Sequence, residues 1–267
     1  MNNDKTKMHF TDNGLINPTN PVTVNLIGAG GTGSKVLTAL VEMNESLIAL
    51  GHAGMAIRLW DNDKVMGANL GRQRFAECEV GLYKSVALIN RSNRWSGTNW
   101  KAEPEKFAMD SYGRFPEHTQ ASIYISCVDT VSARIGIAEI LKWDRREGYL
   151  DRPKYWIDFG NSKHTGQVIL STIGDIRQPK SEKYEAVGSL PFVTDEFADL
   201  LISSEAEDDT PSCSVAEALE KQDLYINSTL AQMGCSLLWS LFRRGMTQYR
   251  GFFLNLEDFR SQPIPIA

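Results

Sequence analysis

The sequence predicts an α/β protein whose open, doubly wound sheet is mainly parallel and ends in antiparallel edge strands. Two features of its 267 residues predict this fold class. Short, continuous apolar runs alternate with segments of helical periodicity, which is typical of parallel strands covered by helices on both faces. After the last helical segment, residues 251–266 are expected to form one or two strands at the edge of the sheet.

The predicted elements alternate along most of the chain. Apolar runs indicate strands over residues 22–29, 56–60, 122–128, 155–159 and 167–172. Helical spacing indicates helices over residues 32–50, 80–93, 132–141 and 216–242. In the first of these helices, the apolar side chains that share one face are Val36, Leu37, Leu40 and Val41.

We expect one domain over residues 21–267, preceded by a flexible N-terminal arm over residues 1–20. The arm is polar and carries Asn-Pro steps. Residues 174–212 interrupt the α/β pattern, because they hold several prolines and the acidic run SSEAEDDT. This stretch is expected to be an insertion or a mobile segment.

Composition argues against several classes of protein. Hydrophobic residues make up 42% of the chain, and the net charge of −5 argues against binding to nucleic acid or to a membrane surface. No apolar run approaches the roughly 20 residues that cross a bilayer, and the N-terminus does not resemble a signal peptide. The cysteines form no CxxC pair, which indicates a reducing cytoplasm and no zinc ribbon. They are Cys78, Cys127, Cys213 and Cys235.

A glycine-rich turn, GAGGTGS at residues 28–34, joins the first strand to the first helix. Gly28, Gly30 and Gly33 let the backbone pass close to a phosphate that sits on the N-terminus of the helix. Alone, this turn indicates only a nucleotide.

Polar residues farther along the chain indicate which kind of nucleotide binds. Asp61 ends the next apolar stretch, at the position where the ribose of a nucleotide would lie. Eleven residues later comes a polar cluster that a dinucleotide dehydrogenase does not need, formed by Arg72, Gln73 and Arg74. The combination predicts a site for a triphosphate.

Four motifs in this order resemble the ThiF/MoeB/HesA family of adenylating enzymes, relatives of the ubiquitin-activating enzymes. The motifs are GAGGTGS at 28–34, DNDKVMGANLGRQ at 61–73, VGLYK at 80–84 and CVDT at 127–130. The resemblance covers about residues 22–173 and 211–260, and is strongest to the ThiF-family members of PRTRC systems.

The resemblance implies a Rossmann-like fold and a reaction that uses ATP and Mg²⁺. In that reaction the C-terminal carboxylate of a ubiquitin-like or sulfur-carrier protein is joined to AMP, and pyrophosphate is released. The implied nucleotide-binding residues are Gly28, Gly30, Gly31, Gly33, Asp61, Asp63, Asn69, Arg72, Gln73 and Lys84. By the same resemblance, Arg72 and Lys84 neutralise phosphates and Asp129 ligates Mg²⁺.

The implied acyl acceptor is Cys213, which lies in TPSCS just before the last predicted helix. It aligns with a cysteine that some family members use as an acyl carrier. In the alternative, Ser212 or Ser214 caps the helix and Cys213 is incidental. The other three cysteines are expected to be packing thiols.

The chain departs from the family in two ways. It lacks the CxxC pairs that hold structural zinc, so no zinc is expected. No arginine precedes Arg58, so the family's N-terminal arginine is missing, or its role falls to Arg74, Lys5 or Lys7.

A homodimer is expected, because several apolar residues of the last predicted helix cover more than one of its faces and indicate either deep core or an interface. These residues are Leu237, Leu238, Trp239, Leu241 and Phe242. A conjugating enzyme is a further possible partner.

Three alternative functions stay open. An NAD-dependent oxidoreductase would share the glycine turn and Asp61 but would leave Asn69, Lys84 and Asp129 without a common purpose. A non-catalytic scaffold could retain the nucleotide fold for binding partner proteins. An adenylating enzyme could also activate a carbonyl on tRNA, which the acidic sequence pI of about 5.5 disfavours.

Overall fold

The structure, a computed structural model, describes residues 5–110, 113, 119–144, 153–199, 201 and 222–267. Its strands are β1 (Lys7–Phe10), β2 (Val22–Ile27), β3 (Met55–Trp60), β4 (Lys101–Glu103), β5 (Ile123–Ser126), β6 (Tyr155–Asn161), β7 (Thr165–Thr172), β8 (Glu185–Ala186), β9 (Met246–Thr247), β10 (Tyr249–Asn255) and β11 (Arg260–Pro265). Its helices are α1 (Asn13–Ile16), α2 (Gly31–Ala49), α3 (Lys84–Ser96), α4 (Val131–Asp144), α5 (Val193–Glu196) and α6 (Ile226–Arg244), with 3₁₀ turns at Gly67–Asn69 and Glu77–Glu79.

The main sheet has eight strands in the order β11-β10-β7-β6-β5-β2-β3-β4. The five strands from β6 to β4 are parallel, and β7, β10 and β11 pair antiparallel at the other side. This arrangement confirms the predicted fold class, including the antiparallel strands at the C-terminal end.

The chain reverses its direction of travel across the sheet between β2 and β5. From β2 it moves outward to β3 and β4, and it then returns to form β5 and β6 on the other side of β2. The carboxyl ends of β2 and β5 therefore border a crevice, which is where open α/β sheets bind ligands. The glycine turn follows β2 and residues 127–130 follow β5, so the two motifs meet at this point.

Apolar side chains cover both faces of the sheet. Leu26 and Ile27 alternate along β2 and belong to two separate core clusters. One cluster contains buried residues of α2, α3 and α6, and the other contains buried residues of α4 and α5. The helices thus lie on both faces, as the sequence predicts for a doubly wound sheet.

The last helix, α6, buries much of its apolar circumference inside this chain. Leu238, Leu241 and Phe242 are buried, and the partly buried Leu237 and Trp239 pack against the same core. Of the two explanations left open for this helix, intramolecular packing accounts for these five residues. A homodimer therefore needs another surface.

The N-terminal segment differs from the predicted flexible arm. β1 pairs with β8 and β9 in a second, three-stranded sheet. His9 is fully buried, where its Nδ1 lies 2.7 Å from the Val187 carbonyl oxygen and its Nε2 lies 2.9 Å from the Tyr155 hydroxyl. Burial lowers the pKa of His9. Each partner lies more than 140 residues away along the chain, so local polarity gave no sign of this anchoring.

Two other boundaries differ from the sequence prediction. α3 begins at Lys84 and not at residue 80, because residues 80–83 run beside residues 64–66, where the Val65 amide donates to the Leu82 carbonyl. In the predicted insertion, residues 174–199 contain β8 and α5, and the remainder lies almost entirely outside the described residues. No helix among the described residues has the length and apolar character needed to span a membrane.

A buried ion pair joins α4 to the carboxyl ends of β5 and β6. Arg134 Nε donates to both carboxylate oxygens of Asp158 at 3.1 Å, and Arg134 Nη2 donates to the carbonyls of Val128 and Phe159. Ser126 Oγ donates to Asp158 Oδ1 at 2.6 Å. This cluster fixes the residues that follow β5.

We predict that Arg134→Met lowers the free energy of unfolding by about 3–5 kcal/mol, because the buried Asp158 carboxylate loses its cation. Urea denaturation measures the loss. Lys142→Met on the same helix is the control: its ion pair with Asp195 is about half exposed, so it should cost less than about 1 kcal/mol. Equal losses in the two variants would contradict the assigned role of Arg134.

Candidate functional site

A cleft of about 1210 Å³ opens at the carboxyl ends of β2, β3, β5 and β6. Most of the site residues predicted from sequence line it, namely Gly28, Gly30, Gly31, Asp61, Asp63, Arg72, Gln73, Lys84 and Asp129. Gly33 and Asn69 lie outside its lining, and Cys213 lies outside the described residues.

The glycines of the turn differ in how closely other backbone atoms approach them. A Cβ on Gly33 would lie 1.9 Å from the Gly28 carbonyl oxygen, and a Cβ on Gly28 would lie 2.6 Å from the Cys127 carbonyl oxygen. Gly28 also has φ +95°, which favours glycine. A Cβ on Gly30 would meet no atom within 4 Å. The fold therefore requires Gly28 and Gly33, whereas Gly30 leaves open space at the cleft.

The N-terminus of α2 faces this space. Gly30 is its N-cap residue, and no side chain among the described residues caps the first turn. The first N–H groups of a helix need acceptors and carry partial positive charge, so they favour an anion.

Asp61 is held in a fixed position at the end of β3. Its Oδ2 accepts a hydrogen bond from the Ala29 amide at 2.6 Å, and its Oδ1 accepts one from the Asp63 amide at 2.9 Å. Burial raises the pKa of Asp61, and these two hydrogen bonds oppose that shift. The carboxylate can accept hydrogen bonds from the hydroxyl groups of a ligand, such as those of a ribose.

Lys84 brings a buried ammonium to the cleft. Its Nζ lies 2.9 Å from Asp63 Oδ2, and the Lys84 side chain is 8% exposed while that of Asp63 is 64% exposed. The Lys84 amide also donates to the Asp63 carbonyl at 2.8 Å. An ion pair with one partner in solvent is weak, so Lys84 can pair with a ligand anion instead.

Arg72 and Gln73 leave polar atoms unsatisfied beside the cleft. Arg72 Nε and Gln73 Oε1 are buried and have no hydrogen-bond partner among the described residues. Burial lowers the pKa of Arg72. A buried polar atom without a partner costs about 1–3 kcal/mol. A bound ligand that supplies an acceptor and a donor would remove this cost.

Lys35 is a further cation beside this wall, outside the residues that line the cleft, and the sequence analysis did not identify it. Its Nζ donates to the Arg72 carbonyl at 3.1 Å. Burial lowers the pKa of Lys35 to about 8, with further lowering from the charges of Arg74 and Arg72. The available sequence signal was a lysine directly after the glycine turn, on the first turns of a helix that otherwise buries apolar residues.

Asp129 lies on the opposite wall, directly after β5, and is exposed. Arg134, also absent from the predicted site, fixes this segment by donating to the Val128 carbonyl at 2.7 Å. Its signal in the sequence was an arginine within the apolar stretch VSARIGIAEI. Among the described residues, no group of three or more His, Cys, Asp or Glu side chains could hold a metal ion.

Asn69 serves the local backbone in this structure. It is buried, and its Oδ1 accepts a hydrogen bond from the Met66 amide at 2.9 Å. Cys235 is buried and Cys127 is partly buried, and the loss of solvent around the sulfur raises the pKa of both thiols, that of Cys235 to about 12. Cys78 is exposed.

A doubly wound sheet with a cationic cleft at its switch point defines the Rossmann-like α/β class of proteins. Within this class the chain belongs to the ThiF family, whose sequence profile matches residues 9–265.

Solved structures give the same fold at low sequence identity. PaaA matches 92% of this chain with a TM-score of 0.59 and 16% identity, over 64% of its own length. Escherichia coli MccB with ATP matches 95% with a TM-score of 0.55 and 17% identity, over 65% of its length. MccB with MccA matches 95% with a TM-score of 0.58 and 15% identity, over 66% of its length. The chain thus spans less than two thirds of each. No curated protein sequence matches it significantly.

Proposed function

We propose that this protein uses ATP and Mg²⁺ to adenylate the C-terminal carboxylate of a ubiquitin-like or sulfur-carrier protein. Membership of the ThiF family supports an adenylating reaction. The observation that carries the proposal is the pair of unsatisfied buried atoms, Arg72 Nε and Gln73 Oε1, on the same cleft as Lys84. Arg72 and Lys84 offer positive charge to a polyphosphate, and Gln73 Oε1 offers an acceptor to a hydroxyl or amino group of the nucleotide.

In the proposed reaction, a carboxylate oxygen attacks the α-phosphorus, and the bond from that phosphorus to pyrophosphate breaks. Both reactants are anions, so the site must neutralise charge and hold them in line. The backbone amides at the N-terminus of α2 donate hydrogen bonds to phosphate oxygens, and Asp61 accepts hydrogen bonds from the ribose hydroxyls. Arg72 and Lys84 neutralise the charge of the phosphates. No protein side chain needs to act as an acid or a base.

The residues of the cleft are compatible with Mg²⁺ in the presence of a nucleotide. Mg²⁺ is commonly held by one or two carboxylates together with phosphate oxygens and water, and not by an all-protein cage. Asp129 supplies an exposed carboxylate on the wall opposite Lys84. When bound there, the ion would supply further neutralisation of phosphate charge.

The cleft is also lined by polar residues of the β6–β7 connection, of β7 and of the last two strands, including Lys163, Gln167, Asn255 and Gln262. These residues are available to a polypeptide C-terminus in the proposed reaction. MccB has been crystallised with ATP and with MccA. We extend this pairing of a nucleotide with a second reactant to the present chain, with a carrier protein as that reactant.

Finer assignments rest on the motifs. A cytoplasmic homodimer, a place in a PRTRC system and a conjugating enzyme as recipient of the acyl group belong to the proposal. A homodimer could use the exposed apolar side chains beside the cleft, which are Met66, Val80, Leu82 and Tyr83. An NAD-dependent oxidoreductase and a non-catalytic scaffold are the competing outcomes of the experiments below.

We predict ATP–pyrophosphate exchange that depends on one carrier among the small proteins encoded beside this gene. Asp129→Asn should lower the exchange rate at least tenfold and leave the melting temperature near that of the wild type, because Asp129 is exposed and its role is in the reaction. Asp175→Asn is the control, because Asp175 is also exposed but lies outside the cleft.

The outcomes separate the candidate functions. NAD binding without ATP binding would favour the oxidoreductase, and ATP binding without exchange for any carrier would favour the scaffold. Normal exchange by Asp129→Asn, or its unfolding, would contradict the role of this residue.

We predict that ATP binding at pH 8 takes up protons. With a pKa of about 8, Lys35 is about half protonated at this pH. Phosphate anions near Arg72 would raise that pKa, so up to about half a proton should be gained per ATP, and less at pH 7, where Lys35 is already charged. Calorimetry in two buffers of different ionisation enthalpy measures the uptake.

Lys35→Met should remove this part of the uptake, while Lys101→Met, at an exposed position on β4, should leave it unchanged. Equal uptake by Lys35→Met and the wild type would contradict a position of Lys35 near the phosphates.

For the acyl transfer, we predict that Cys213→Ala still catalyses pyrophosphate exchange. It should form no covalent adduct with the carrier of the kind that a thiol reagent cleaves. Gel electrophoresis with and without reductant detects the adduct. Cys78→Ala is the control, because Cys78 is an exposed thiol to which the proposal gives no part in the transfer. An adduct that persists in Cys213→Ala would assign the transfer to another thiol.

A further inference from the structure

Two amide side chains connect Arg72 to the glycine turn. Thr32 Oγ1 donates to Asn227 Oδ1 at 2.7 Å, Asn227 Nδ2 donates to Gln222 Oε1 at 2.7 Å, and Arg72 Nη1 donates to the same oxygen at 3.0 Å. We call Asn227 and Gln222 the amide bridge. Thr32 and Asn227 are 195 positions apart in the sequence, and Arg72 and Gln222 are 150 positions apart.

The directions of these hydrogen bonds determine what Arg72 contacts. Because a guanidinium can only donate, Gln222 presents its oxygen to Arg72, and the same oxygen accepts from Asn227 Nδ2. Asn227 therefore turns its oxygen to the Thr32 hydroxyl, whose oxygen also lies 3.3 Å from Asn161 Oδ1. An arginine held by a neutral acceptor keeps its full positive charge, whereas a carboxylate would neutralise it.

The amide bridge is fixed at both ends. Asn227 is 1% exposed, and a Cβ on Gly31 would lie 2.7 Å from its Nδ2, so α2 begins directly against it. Beside Gln222, the Asp223 amide donates to the Lys163 carbonyl at 2.9 Å, and Asp223 Oδ1 accepts from the amides of Tyr225 and Ile226. Neither amide can turn away without losing buried hydrogen bonds.

We infer that Gln222 and Asn227 are positioning residues for the adenylation reaction: they orient the guanidinium of Arg72 toward the phosphates without neutralising it. This inference rests on the proposed function. With Nη1 held by Gln222, the unpartnered Nε of Arg72 remains for an anion. The amide bridge also connects the orientation of the Arg72 guanidinium to the glycine turn, which binds the same phosphates in the proposed reaction.

A double-mutant cycle between Gln222 and Arg72 tests the inference, with ATP affinity measured by calorimetry. Gln222→Met removes the acceptor and should raise the ATP Kd at least fivefold in the wild-type background. In the Arg72→Met background the same change should alter Kd less than twofold, because no guanidinium remains to be oriented. Gln222→Asn, which withdraws the oxygen by one methylene, should reproduce the loss in affinity.

Gln178→Met is the matched control. Gln178 is also partly buried and bonds the Phe10 backbone through both ends of its amide, but it lies outside the cleft. It should leave ATP affinity unchanged even where it lowers the melting temperature. In pyrophosphate exchange, Gln222→Met should raise KM for ATP and leave KM for the carrier unchanged.

The outcomes distinguish this inference from the proposed function. A wild-type protein that binds no ATP would overturn both. ATP binding by the wild type with unchanged affinity in Gln222→Met would overturn the inference alone. So would an equal loss in both backgrounds, since Gln222 would then act independently of Arg72.

Discussion

The close approach of backbone to backbone at the switch point is the constraint on which the site depends. Gly33 packs against the Gly28 carbonyl, and Gly28 packs against the Cys127 carbonyl, so the turn after β2, the start of α2 and the end of β5 meet without intervening side chains. Together with the pairing of β2 with β5, this contact brings the N-terminus of α2 and the segment of Asp129 to one cleft. Arg134 then holds the β5 side of the contact through the Val128 carbonyl. Loss of either support would separate the walls of the cleft.

The wall of the cleft that contains Arg72 and Gln73 carries neighbouring positive charges and unsatisfied polar atoms, and both lower the stability of the folded protein. Burial, with a further contribution from the charges of Arg74 and Arg72, lowers the pKa of Lys35 to about 8. Arg72 and Gln73 each bury an atom that no described residue satisfies. Proteins keep such unfavourable groups where a ligand compensates them, and stability alone would remove them. The same physical features that lower the stability of this wall therefore support the proposal that it is the binding surface.

The sequence was a good guide wherever the signal is local. Continuous apolar runs located the five strands β2, β3, β5, β6 and β7 but not the short edge strand β4. The spacing of Gly28, Asp61 and Lys84 located most of one cleft. What it missed depends on contacts between distant segments. The burial of His9 requires Val187 and Tyr155, and the start of α3 at Lys84 depends on pairing with residues 64–66.

The residues missing from the predicted site share this cause. Lys35 matters because its ammonium meets the Arg72 carbonyl, and Gln222 matters because its oxygen meets the Arg72 guanidinium. Neither relation leaves a spacing in the sequence. The nucleotide-binding role of Asn69 stays a prediction, and in this structure its Oδ1 accepts a hydrogen bond from the Met66 amide.

The acceptors of three arginines distinguish structural from ligand-directed cations in this protein. Arg134 pairs with the buried carboxylate of Asp158, and Arg250 pairs with Glu196 while donating to the carbonyls of Leu170 and Pro191. Their charge is neutralised inside the protein, so they serve packing.

Arg72 is held by an amide oxygen, and its charge is left available. Since removing a cation from water is costly without an anion, the half-buried Arg72 favours an anion supplied from outside the polypeptide. That reasoning applies equally to Lys84, whose carboxylate partner lies mostly in solvent. Both cations line the same cleft, where an anionic ligand would compensate them together.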